Sequence, residues 1–188
     1  MEQLDGLNQR LGQLNQRIEA QTTPQQALIE RLDAISGVGK HTAQIMLAEV
    51  GSSVAQSPTD KQLASWACMS PGNHVSGGKR RSGKTRQGQK WLRTALIEAA
   101  WAASRSKDTY LGTQFHRLRA IRGAKRAAVA VGHSILTIAY HLIADPQATF
   151  QDLGGDYFIK RNQGDQKRRA VKTLNTIGYE VHLTPIAG

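Results

Sequence analysis

Apolar residues at Leu4, Leu7, Leu11, Leu14 and Ile18 recur at spacings of 3, 4, 3 and 4, with Gln, Asn, Arg and Glu between them. This is an a/d heptad stripe and predicts an amphipathic helix. The polar residues 21–26, with Pro24 among them, end the pattern. So short a stripe is not stable alone. Three arrangements would bury it: a homo-oligomer in which it pairs with a second copy, the arm of a longer antiparallel coiled coil, or packing on its own domain. Pairing is the expectation carried forward.

A second pattern begins at Ala27, Leu28, Leu32 and Ile35, is interrupted by Ser36-Gly37-Val38-Gly39, and resumes with Ala43, Ile45, Met46, Leu47 and Val50. It predicts helix, tight turn, helix, with Gly37 and Gly39 freeing the backbone and exposing amides where the dipole of the second helix favours a phosphate. The pattern resembles a helix-hairpin-helix element, and it is equally read as structural punctuation. A short helix is expected over residues 59–69, capped by Ser57 or Thr59, with Leu63, Trp66 and Ala67 inward. Leu92, Ala95, Leu96, Ala99 and Ala103 mark the core face of another. Trp91 and Trp101 are read as packing residues rather than base-stacking platforms. Gly123 divides a basic segment, 110–126, from a long helix ending before Asp145-Pro146. The remainder holds an expected helix at 166–174 and a strand-like alternation at 179–183. The fold class is mainly α. A coiled-coil segment spans 1–23, a helical domain 27–145, and a small irregular tail 146–188.

Charge changes this picture in one place. The net charge is +11, yet residues 61–144 alone carry fifteen Lys and Arg against Glu98 and Asp108, so the rest nets −2. A basic block of this kind in an otherwise near-neutral chain suits a polyanion, most often nucleic acid. Lone Cys68 excludes a disulfide framework and fits a reducing cytoplasm. The N-terminus has no signal-peptide pattern, and polar residues interrupt the one long apolar run at 127–144, so a core helix is expected there and no membrane partner.

The densest chemistry lies at residues 76–86: Ser76, Gly77, Gly78, Lys79, Arg80, Arg81, Lys84 and Arg86, without an acid. A hydroxyl beside two glycines and a string of cations suits a site acting on a phosphodiester. Glycine lets amides approach an oxyanion, and cations stabilise charge built up during attack. A flexible basic loop that only grips nucleic acid is the alternative. Metal-dependent transfer needs clustered carboxylates holding metals about 4 Å apart, and Glu98 and Asp108 do not cluster. The six histidines form no recognised ligand pattern. No Gly-x-Ser-x-Gly elbow is present. A hydroxyl nucleophile remains, from Ser70, Ser76, Ser82, Tyr110 or Tyr140, with Ser76 best placed and His74 a candidate base. Lys90, Arg93, Arg117, Arg119 and Arg122 are further candidate phosphate contacts.

The order of these motifs resembles the C-terminal half of the IS110-family (IS110/IS116/IS902) transposases. Ile35-Ser36-Gly37-Val38-Gly39 through Ala43, Leu63-Ala64, Pro71 before Ser76-Gly77-Gly78-Lys79, Arg86-Gln87-Gly88 with Leu92-Arg93, and Ala139-Tyr140-His141-Leu142 carry it. Ser36 stands where the family usually has proline. The resemblance implies a bacterial, cytoplasmic DNA transposase or recombinase with Ser76 as catalytic nucleophile. Its partners would be DNA and a structured non-coding RNA. It places a divalent metal (Mg) on an N-terminal RuvC-like domain joined through a coiled coil, so no cofactor is expected on this chain, which reads as a fragment. The function class outside this reading is a non-catalytic helix-hairpin-helix module that binds nucleic acid and dimerises.

Overall fold

The computed structural model describes residues 1–72, 74–85, 88–181 and 183–184. Helix α1 (Glu2–Thr22) runs through a 3-10 turn at Thr23–Gln25 into α2 (Gln26–Asp33), and α3 (Lys40–Val50) and α4 (Asp60–Trp66) follow. Strands β1 (His74–Ser76) and β2 (Lys79–Ser82) form an antiparallel pair. Then come α5 (Lys90–Ala103), α6 (Tyr110–Arg122), α7 (Ala124–Ala144), α8 (Tyr157–Arg161) and α9 (Gln163–Thr176).

The core is built around α7, which packs on α2, α4, α5 and α6. Its small residues make this multiple docking feasible, since a narrow helix lets several neighbours approach. At Gly132 a Cβ would lie 2.8 Å from Met69 Cε and 3.1 Å from the Leu96 carbonyl oxygen, so glycine sets the depth of the α5 and α7 crossing. Ala127, Ala128, Val131, Ile135, Leu136 and Ala139 are buried with Leu92, Leu96, Ala99 and Ala103 of α5. Among the described residues α7 is the helix long and apolar enough to cross a membrane, and here its apolar face is the centre of the bundle.

Helix ends are closed by identifiable groups. Thr59 caps α4 by accepting a hydrogen bond from the Gln62 amide, and Thr109 caps α6 by accepting from Gly112. Gly123, at φ +81°, ends α6 and starts α7. The last turn of α7 is capped from a distance: Arg31 Nη1 donates to the carbonyls of Leu142 (2.9 Å), Asp145 (2.9 Å) and Ala148 (3.2 Å). A cation on these carbonyls also opposes the negative end of the helix dipole.

Three expectations change. The segment after Ala144 is not irregular throughout: it returns over α6, where Phe158 stacks on Tyr110 with centroids 5.1 Å apart, and continues into α9. The strand expected at 179–183 is absent from its described residues, and His182 lies outside them. Trp66 is 44% exposed rather than inward, because α4 is short and presents only Leu63 and Ala64 to the core.

Candidate nucleic-acid interface

The serine run is a β-hairpin, not a flexible loop. Ser76 pairs with Lys79, Val75 with Arg80 and His74 with Ser82, which leaves Arg81 as the extra residue of a bulge. The turn is Gly77-Gly78 with φ +57° and +72°. Positive φ at both central positions is what the tight primed hairpin turn requires, and glycine adopts it without strain. A Cβ at either position would meet nothing within 4 Å. Backbone conformation rather than lack of space therefore requires these glycines.

Ser76 sits at the last position before the turn, exposed, and is without a hydrogen-bond partner among the described residues. Directly paired residues on an antiparallel ladder share a face with Cβ atoms about 5 Å apart, so Lys79 and Ser76 project together. The other candidate hydroxyls are engaged or covered. Ser82 Oγ accepts from the Lys84 amide at 3.1 Å. Ser70 is half-buried, and Tyr140 packs against the core. Tyr110 is stacked on Phe158, and burial pushes its hydroxyl above the ordinary phenol range, which disfavours the phenolate.

The foot of the hairpin is fixed to the bundle. Pro71 bridges to Thr85, and the Gly72 amide donates to the Lys84 carbonyl at 3.1 Å. Arg93, expected to hold phosphate, is half-buried. It donates from Nη2 to Thr85 Oγ1 at 2.8 Å and from Nη1 to the Cys68 carbonyl at 3.4 Å. Where the chain rejoins α5, Gly88 is pressed on α4's end: a Cβ there would lie 2.3 Å from Cys68 Sγ.

The expected cations fall into two groups. Lys79 and Lys84 on the hairpin and Lys90 at the start of α5 are exposed, with no carboxylate partner among the described residues. Arg86 lies outside the described residues, as do the side chains of His74, Arg80 and Arg81. Arg119 and Arg122 are exposed in the last turn of α6, also without carboxylate partners among the described residues. Arg117 is set apart from them, its guanidinium 4.3 Å above the Phe158 ring. The two glycines of the α2–α3 turn separate as well. Gly37, at φ +89°, lies against α5, where a Cβ would be 2.4 Å from the Ala99 carbonyl oxygen. Gly39 is exposed at the N-cap of α3, and a Cβ there would meet nothing within 4 Å. Gly37 is thus a packing residue, and Gly39 is the one of the pair with an open approach.

Sequence reasoning missed two contributors. Asp152 accepts from Ser36 Oγ (2.8 Å), the Tyr110 amide (2.8 Å) and the Gly154 amide (2.8 Å), tying the α2–α3 turn, the α6 start and the returning C-terminal segment. Ser36, the departure from the family's proline, is what makes the first of these bonds. Trp91, read as packing, is 70% exposed on the first turn of α5, whereas Trp101 does pack, 5.1 Å from the Phe115 ring. Among the described residues no group of three or more His, Cys, Asp or Glu could hold a metal ion. The residues present therefore do not fit the divalent metal implied for the family, and no chemical step is assigned to one.

Residues 29–117 match the family described as Transposase IS116/IS110/IS902. A curated protein of Pseudomonas aeruginosa, named "Probable family 20 transposase", is 30% identical over 147 residues, covering 76% of this chain. The chain spans only 43% of that relative's length.

Proposed function

The chain belongs to the IS116/IS110/IS902 transposase family, and on that premise we propose that it is a serine-type catalytic and DNA-binding unit with Ser76 as nucleophile. The observation that carries this is the hairpin tip. Ser76 is exposed, its hydroxyl is not spent on the fold, and Lys79 projects from the same face. Ser76 Oγ attacks a DNA phosphorus, forming a phosphoserine ester as the bond to one ribose oxygen breaks. The serine proton passes to solvent or a neighbouring base, and the released sugar oxygen takes up a proton. The ester conserves the bond energy for rejoining. Lys79 and Lys84 neutralise the phosphorane charge, and Lys90 extends the backbone contact along α5.

The exposed end of α6, with Arg119 and Arg122, provides a second basic face for a further nucleic-acid strand, on family grounds a structured RNA. The leucine stripe of α1 pairs with a second copy of the chain. Gly39 at the α3 start is available to a phosphate in the manner of a helix-hairpin-helix. A bacterial cytoplasm is the setting.

The test is strand cleavage by the chain joined to an RuvC-like domain of the family. Ser76→Ala is expected to abolish both cleavage and the denaturation-resistant protein–DNA adduct while leaving DNA affinity unchanged. Undiminished cleavage by that variant overturns the nucleophile. A cleaving parent that never forms the adduct reduces the chain to a binding module.

A further inference from the structure

Trp91 is the largest exposed side chain beside the hairpin. It is 70% exposed, and no ring, cation–π or hydrogen-bond contact involves it among the described residues. The other two tryptophans differ in degree: Trp101 is 38% exposed and packs against Phe115, and Trp66 is 44% exposed at the end of α4. Leaving an indole in water forgoes one of the larger burial gains open to a chain, and α5 has a core face on which an aromatic could have been placed. Trp91 instead follows the exposed Lys90 and stands two residues before Arg93, whose guanidinium holds Thr85 at the hairpin's foot. Glu98, the one acid on α5, lies two turns further along the helix.

A partner reaching this indole must tolerate the cations of Lys79, Lys84 and Lys90 and offer a flat apolar surface. An apolar protein face meets the second condition and not the first. A paired duplex meets the first and hides its base faces in the stack. A DNA strand with an unpaired base meets both, because every base has a π-face and stacking on an aromatic needs no particular sequence. We propose that Trp91 is a stacking platform for an unpaired nucleobase of DNA whose backbone lies along the hairpin cations. This rests on DNA being the ligand, as in the proposed function, and not on Ser76 acting as nucleophile.

The test uses the full 188-residue chain, an oligo(dT) strand and a blunt duplex of the same length, without any cleavage assay. Trp91→Ala is expected to weaken oligo(dT) binding by about tenfold, the scale of one base–aromatic stack. Duplex binding should stay unchanged and Trp91→Tyr should retain most of the affinity. In a Trp66→Phe, Trp101→Phe background, oligo(dT) should quench the remaining indole emission. Unchanged oligo(dT) affinity in Trp91→Ala overturns the proposal, and so does an equal loss on both ligands. If the parent binds neither ligand, both this inference and the DNA-binding reading fail. If it binds both without covalent chemistry, only the Ser76 reading is affected.

Discussion

Helices α1 and α7 are each 21 residues long, and their fates in the fold are opposite. In α7 alanine, glycine and β-branched residues cover much of the circumference, so α2, α4, α5 and α6 can all approach. In α1 the apolar residues are larger but confined to one stripe. Leu4, Leu7, Leu11 and Leu14 are 63%, 56%, 56% and 51% exposed. Side-chain size does not decide which helix becomes the core: a wide face of small residues recruits several neighbours, whereas a narrow stripe of leucine is suited to one partner helix. The stability of α7 is therefore internal to the chain. That of α1 depends on what it meets.

The sharpest way to test this contrast is to truncate one side chain on each helix. Leu136→Ala removes a fully buried group on α7 and is expected to cost about 2–5 kcal/mol, read from denaturant unfolding. Leu7→Ala with Leu11→Ala should leave the unfolding midpoint of the dilute chain nearly unchanged while abolishing concentration-dependent self-association in sedimentation. A comparable loss of stability at dilution would mean that the stripe packs on its own domain after all.

The smallest expected effect concerns how α1 is held. Lys40 Nζ lies 2.6 Å from Glu19 Oε1, and this hydrogen bond and charge hold the carboxyl below its ordinary value of 4.5. A carboxyl with a lowered folded-state value contributes above the ordinary value and loses that contribution as pH falls through the lowered one. The pair is fully exposed, so the contribution is small and salt-sensitive. Protease cleavage near Thr23–Gln25 should rise modestly at acid pH, and Lys40→Met should remove that dependence.

Much of the bundle was legible in the sequence because its signals are local. Gly123 and Asp145-Pro146 bracket α7, Thr59 caps α4, and the alanines of α5 repeat on one face. The hairpin was not, since three- and four-residue strands with polar residues on both faces carry no alternation. Its one local signal was the Gly77-Gly78 pair, read for close approach to an anion when its role is the turn. Arg31 capping α7 and Asp152 bonding Ser36 join residues more than a hundred positions apart, which no periodicity reveals. At the site, Ser76 and Lys79 were legible as chemistry. That Arg93 fixes the hairpin's foot and that Trp91 faces water depends on how the hairpin docks on α5.

Helix α1 is also a lever. At 1.5 Å per residue its 21 residues extend about 30 Å, and it meets the body only at the Thr23–Gln25 joint and the Lys40 contact. A rotation of about 10° at that joint sweeps its free end by about 5 Å, on the scale of one helical turn. Whatever grasps α1 thus gains mechanical advantage over a single salt-sensitive tether, and a twist applied there reaches α2, where Arg31 grips the end of α7, before it reaches the hairpin.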